Sequence, residues 1–203
     1  MFVRKSESTK HSDQTVGGLG GHILRRVIHI AIVAVPLLYY AYAEPVARFF
    51  HLTPKLSLLV IFGVNIIVEA IRLMFGWTFV GHRRHEEKVI SSFAWGIFSI
   101  CLVLILAPDR SFAIPIIWSC AIGDPILGEL RKTKLSRTWV AFIGVIVIAG
   151  IWWICTAWLG TPWRLGLLMG PLIVGLEWPN IKWIDDNALM QLIPLLIILL
   201  LYG

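Results

Sequence analysis

Glycine, aspartate and proline stand together at Gly123-Asp124-Pro125, inside an otherwise apolar stretch. A carboxylate among apolar neighbours is costly to hold and marks a functional position by default. It can bind a hard cation or accept a proton. Shortly after it come Arg131, Lys132, Lys134 and Arg137, a cluster of cations that would attract an anion. Positive-inside bias alone would also place cations there. A second acidic group, Asp185-Asp186-Asn187, opens the last apolar stretch, and Glu177 closes the one before it. Asp and Asn suit a helix N-cap, and their oxygens also suit Mg²⁺ held against phosphate. Two pairs stand three residues apart, so each shares a helix face: Arg26 with His29, and Glu69 with Arg72. For Glu69 and Arg72 an internal salt bridge explains the spacing equally well. The run Arg83-Arg84-His85-Glu86-Glu87 reads by default as a solvated loop. There is no Walker-type phosphate loop, no kinase Gly-rich loop, no His-Glu-x-x-His and no nucleophile elbow. Phosphoryl chemistry here needs another scaffold.

The elements that must position these groups are apolar. The chain has 203 residues, 58% of them hydrophobic, and a mean hydropathy of +0.80. Apolar runs near 20 residues recur, which predicts an all-α, polytopic integral membrane helical bundle. About seven transmembrane helices are expected, at 27–43, 54–75, 89–107, 112–130, 138–159, 164–177 and 188–202. Residues 1–22 read as a flexible cytosolic tail ending in a glycine run, and 23–203 as a single transmembrane domain. The first span has a signal-like Ala41-Tyr42-Ala43, but its long, partly acidic leading tail argues against cleavage. The fourth helix is expected to break at Gly123-Asp124-Pro125. Pro125 cannot donate a backbone hydrogen bond and disfavours helix at the residue before it. Cys101, Cys120 and Cys155 lie singly in apolar spans and read as small core residues.

Charge tests this arrangement. With a cytosolic N-terminus, only Arg48, Lys55, Arg110 and Arg164 of the 18 Lys and Arg residues fall outside. That is a strong positive-inside asymmetry. The carboxylates follow it: Glu69, Glu86, Glu87, Asp124, Glu129, Glu177, Asp185 and Asp186 gather at the inner ends, and Glu44 and Asp109 lie outside. Trp77, Trp139, Trp178 and Trp183 mark the inner boundary, and Trp158 and Trp163 the outer. Solubility does not require acids and bases on one face. A site for a charged, metal-bound cytosolic ligand does.

The order of motifs resembles the CTP-dependent lipid-alcohol kinases. It runs from Arg26-x-x-His29 through Glu69-x-x-Arg72, the Arg/Glu loop and Gly123-Asp124. A basic loop with Thr138-Trp139 follows, then Glu177 and Asp185-Asp186-Asn187. That family comprises dolichol (polyprenol), phytol and farnesol kinases and the CTP-dependent diacylglycerol kinase. It looks distantly related to the phosphatidate cytidylyltransferases. The resemblance covers the chain from Arg25 onward. It implies a kinase that phosphorylates the hydroxyl of a membrane isoprenoid alcohol, with CTP as donor and Mg²⁺ as cofactor. The products would be a lipid monophosphate and CDP.

On that reading Asp124, His29 and Glu69 are catalytic candidates. Gly123, Arg131, Lys132, Lys134, Arg137, Arg72, Arg84 and Asn187 would bind nucleotide, and Asp124, Asp185, Asp186 and Glu177 would hold the metal. The expected partners are the lipid alcohol and CTP, with no nucleic acid, and the site faces the cytosol. Either Asp124 or His29 can take the alcohol proton. The same residues would serve a CTP-dependent diacylglycerol kinase, and two further functions use them. One is CDP-lipid synthesis from CTP and phosphatidate. The other is a small ion-coupled transporter with Asp124 and Glu69 as ligands, against which few polar groups continue to the outer face.

Overall fold

A computed structural model describes residues 15–178 and 184–203 of the chain. Arg4, Lys5 and Lys10 of the expected tail, and Lys182 and Trp183, lie outside the described residues. Every regular element among the described residues is helical. The only strand-like pairing there is a single bridge between Thr15 and Arg83.

The chain enters through α1 (Gly18–Ala31) and α2 (Ala34–Phe49), which meet at a 50° bend. Pro36 accounts for the bend. It has no N–H for the Ile32 carbonyl, and its ring crowds that carbonyl. The Val35 N–H takes the carbonyl instead, at 3.0 Å. The glycine run is not part of a loose tail. Gly17 adopts φ 87°, the Val16 N–H donates to the His82 carbonyl at 2.8 Å, and the Gly81 N–H donates back to Val16 at 3.0 Å. A Cβ on Gly21 would strike the Val16 carbonyl, so only glycine lets α1 start there. α1 turns Leu19, Ile23 and Val27 outward and buries Arg25 and His29.

α3 (Pro54–Phe75) is capped by Thr53, whose Oγ1 accepts from the Leu56 N–H at 3.2 Å. It ends at Gly76 with φ 63°. A loop carrying one 3₁₀ turn (Arg84–Glu87) leads to α4 (Ser92–Leu106), which Ser91 caps. Then follow α5 (Arg110–Leu130), α6 (Arg137–Leu159), α7 (Arg164–Glu177) and α8 (Asp186–Tyr202). By length and composition α3, α5 and α6 can each cross a membrane, and the bent α1–α2 pair would make a fourth. α4 and α8 are apolar but shorter. Only 17% of the most apolar stretch of α3 is buried within the protein. Its exposed Val60, Val64 and Ile67 form a face that suits lipid.

α5 is the central post, with 72% of its apolar stretch buried. Ile116, Ile117 and Leu127 belong to one core with Ile148 and Trp152 of α6, Met169 and Ile173 of α7, and Met190 and Ile198 of α8. The helix runs unbroken through Gly123-Asp124-Pro125, so the expected break is absent. Pro125 forfeits one hydrogen bond, to the Ala121 carbonyl, and packing from several sides outweighs that local loss. Gly123 permits the close approach, since a Cβ there would lie 3.3 Å from Ile148 and 3.5 Å from Met190.

Candidate functional site

Three helices bring carboxylates to one point. Asp124 comes from α5, Glu177 is the last residue of α7, and Asp186 is the first of α8. One oxygen from each lies within 4.8 Å of the others. Asp124 and Glu177 are buried. Like charges this close must be offset, by cations or by a shared proton. Arg26 Nη1 donates to Asp124 Oδ2 at 3.2 Å, and Arg131 pairs with Glu177. Gly128, one turn beyond Asp124, leaves room for the Arg26 guanidinium that any Cβ there would strike. His29 Nδ1 faces Asp124 Oδ2 at 3.6 Å, just beyond hydrogen-bond length.

The donor set fits a hard divalent cation. All three groups offer oxygen, as Mg²⁺ requires. Glu177 Oε1 is ion-paired with Arg131, while its buried Oε2 accepts no hydrogen bond from the described residues. That oxygen has room for a further partner.

Asp185 stands apart from this trio. Its Oδ1 accepts from the Asn187 N–H at 3.1 Å and from Asn187 Nδ2 at 2.7 Å, so it caps α8. Ser92 Oγ lies 2.7 Å from Asp185 Oδ2 and 2.9 Å from Glu86 Oε1; its one hydrogen serves one of them at a time. Burial works to raise the Asp185 pKa, but the Ser92 hydrogen bond and the charges of Arg83 and Arg25 hold it below the usual carboxylate value. The metal role expected of Asp185 therefore gives way to a capping role, because Asp185 is outside the group of converging oxygens and its Oδ1 is taken by Asn187.

Glu69 and Arg72 are corrected more sharply. A guanidinium has five N–H donors, and Arg72 uses all of them. It meets Glu69 Oε2 at 2.9 Å, Glu69 Oε1 at 2.7 Å, and the carbonyls of Trp77 (3.0 Å), Glu86 (2.7 Å) and Val89 (2.6 Å). Glu69 also accepts from the Ser91 N–H at 2.6 Å and Ser91 Oγ at 3.1 Å. The pair clasps the loop between α3 and α4. Nothing is left on Arg72 for a phosphate, nor on Glu69 for a proton or an ion.

The basic loop divides. Arg131 faces the trio through Glu177. Lys132 is held by Glu129 at 2.7 Å and neighbours His22. Lys134 and Arg137 are exposed and have no ion pair among the described residues. In the other loop Arg84 points into solvent, and its neighbour Arg83 carries the relevant charge. Burial would lower the Arg83 pKa, yet Asp186, Asp185, Glu86 and Asp124 together hold it above its ordinary value. Arg83, Arg25, Glu86 and Ser92 are thus site residues that the sequence reading missed. Arg25 had a signal: it is four residues before His29 and shares its face.

An apolar cavity of about 310 Å³ adjoins the cluster. Arg25, His29, Ser92 and Asn187 line its polar end, and Gln191 lies one turn further along α8. Val35, Leu58, Ile61 and Leu104 line the rest. Asn187 thus faces this cavity, not the basic loop. His29 and Asn187 belong to both parts, since His29 faces Asp124 and Asn187 follows Asp186. The arrangement can hold a polar head against fixed charges and an apolar chain between helices. No family model, curated protein or solved structure matches this chain.

Proposed function

We propose that this protein is a multi-pass membrane enzyme that moves the terminal phosphoryl group of CTP onto the hydroxyl of a membrane isoprenoid alcohol. The observation that carries the reading is the shared wall between the acidic, arginine-ringed cluster and an apolar cavity. Phosphoryl transfer needs charge neutralisation and in-line positioning more than covalent help. The cluster supplies fixed charge of both signs and the cavity supplies a place for the chain. CTP as donor and the isoprenoid class rest on the resemblance of the motifs.

In this scheme Asp124, Glu177 and Asp186 would hold Mg²⁺, which when bound neutralises charge on the transferring phosphates. Arg131, Arg83, Lys134 and Arg137 hold the triphosphate. The alcohol oxygen attacks the terminal phosphorus, the bond to the β-phosphate oxygen breaks, and CDP leaves with that oxygen. The hydroxyl proton passes to His29. With Nδ1–H turned towards Asp124, Nε2 keeps its lone pair for the proton. Arg26 holds Asp124 in place. The topology we propose has seven spans, with α1 and α2 as one bent span, the N-terminus in the cytosol and the cluster facing it.

The test is a transfer assay on purified protein in detergent with Mg²⁺ and γ-labelled CTP. The acceptors are phytol, farnesol, a long polyprenol and diacylglycerol, with ATP as comparison donor. Label in one isoprenoid alcohol is the expected outcome. A CDP-lipid formed from α-labelled CTP and phosphatidate, with no labelled alcohol, replaces the kinase with a cytidylyltransferase. No CTP binding at all leaves the ion-coupled transporter in front.

A further inference from the structure

Arg25 has no part in the scheme above, and its surroundings are unusual. It is 7% exposed and makes no hydrogen bond among the described residues. Nη1 forms a loose ion pair with Glu86 Oε1 at 3.6 Å, but it is buried and donates no hydrogen bond. Leaving a buried guanidinium nitrogen without a hydrogen bond is costly even beside a carboxylate. By contrast every donor of Arg72 on the neighbouring helix is met. This guanidinium of Arg25 lines the polar end of the apolar cavity, beside His29 and Ser92. The rest of the wall is hydrocarbon, with Leu58 and Leu104 among its residues.

We infer that Arg25 is the anchor for a phosphate monoester at the tip of a single hydrocarbon chain, so that the cavity holds the phosphorylated lipid more tightly than the alcohol. The inference deepens the kinase reading and rests on it for the origin of that phosphate. An alcohol head offers one oxygen and no charge, and it leaves most of the guanidinium unsatisfied. A phosphate monoester offers charged oxygens that match the planar fork two at a time. The cavity volume of about 310 Å³ sits near the lower limit of roughly 300–1,000 Å³ for small-molecule sites. One chain suits it better than two.

The contact forms only as the phosphoryl group arrives. It would therefore favour transfer and also slow release of the product.

The experiment measures binding without nucleotide or metal, by native mass spectrometry of the full chain released from detergent micelles. The probes are farnesyl monophosphate, farnesol, palmitate and a two-chain phosphatidate. Farnesyl monophosphate is expected to bind at least about tenfold more tightly than farnesol, the scale of one charge-assisted bidentate contact. Arg25→Gln should bring the two within about twofold by lowering phosphate affinity alone, and Arg25→Lys should restore part of the difference. Gly96→Leu blocks the cavity. Gly96 lines it and a Cβ there meets nothing within 4 Å, so that variant should fold and lose both ligands.

A preference that survives Arg25→Gln overturns the inference. So does phosphate binding that survives Gly96→Leu, which also decides the matter if Arg25→Gln fails to fold. Palmitate or phosphatidate binding as tightly as farnesyl monophosphate overturns the assigned head group or the single chain. The two readings fail separately. Absent phosphoryl transfer with an intact, Arg25-dependent phosphate preference removes the kinase and keeps the lipid-phosphate site. Transfer with no such preference does the reverse.

Discussion

Asp124 is the residue on which the scheme turns, because it touches both halves of the site. It faces Arg26 and His29 on one side and the oxygens of Glu177 and Asp186 on the other. Asp124→Asn keeps the shape and removes the charge. Turnover in the transfer assay should fall at least about a hundredfold, as for loss of a positioned catalytic group, with the thermal midpoint in detergent little changed. Normal turnover in that variant would sink the proposed mechanism. Gly128→Val probes the same point from outside. The added Cβ meets the flexible tip of Arg26, which can swing aside, so the fold should tolerate it. Displacing Arg26 from Asp124 should cost about tenfold in kcat/KM, in keeping with small misplacements near reacting groups. An unchanged kcat/KM would mean that Arg26 does not position Asp124. Asp124 was legible in the sequence because a lone carboxylate in an apolar run has few idle explanations. Arg83 was not. Its charge run looks the same whether it faces solvent or a carboxylate.

At the scale of elements, the loop between α3 and α4 is what presents Arg83 and Glu86 to the site. Two devices hold it. The first is the Glu69–Arg72 clasp. Arg72→Ala leaves the Glu69 carboxylate buried and unpaired, and should destabilise the protein by about 3–5 kcal/mol. Thermal denaturation in detergent measures this. A stable but inactive variant would return Arg72 to nucleotide binding. The second device is His82, whose Nδ1 accepts from the Phe79 N–H at 2.8 Å. An accepting nitrogen carries no proton, and burial depresses the His82 pKa below its ordinary 6.5. The sign follows from linkage: the unfolded loop binds the proton more readily than the folded one. The stability from neutral His82 is fully present above about pH 6.5, and is lost as pH falls through the lower folded value. Hydrogen exchange of amides 77–83, corrected for intrinsic rates, should accelerate over that window in the wild type and lose the pH dependence in His82→Gln. The same pH profile in both proteins would exclude His82 as the cause.

At the scale of the whole molecule, the outcome is an apolar bundle with its buried charged groups gathered at one end. Arg26 with Asp124, Arg131 with Glu177, and Ser92 with Asp185 join residues far apart in sequence at that end. On the proposed topology a single cysteine at Lys134, in a cysteine-free background, should react with an impermeant maleimide only from the cytosolic side. One at Arg164 should react only from the opposite side. Labelling of both from the same side would overturn the seven-span arrangement. Cys101, Cys120 and Cys155, removed for this purpose, are buried free thiols, and of these Cys120 Sγ lies 3.5 Å from Asn187 Oδ1.

The sequence by itself determined that the chain is helical with segments long and apolar enough to cross a membrane, and which side chains are available for chemistry. Both are local properties: apolar length sets what can cross a bilayer, and residue type sets what can bind a cation or a phosphate. The N-cap at Asp185 was legible for the same reason. The tertiary structure decided which acids meet. Asp124, Glu177 and Asp186 converge while Asp185 turns aside to cap α8, and Glu69 locks a loop instead of joining the site. It also decided that α5 continues through Pro125, because packing against α6 and α8 outweighs one missing hydrogen bond. These outcomes depend on contacts between residues tens of positions apart, and neither helical periodicity nor local propensity carries that information.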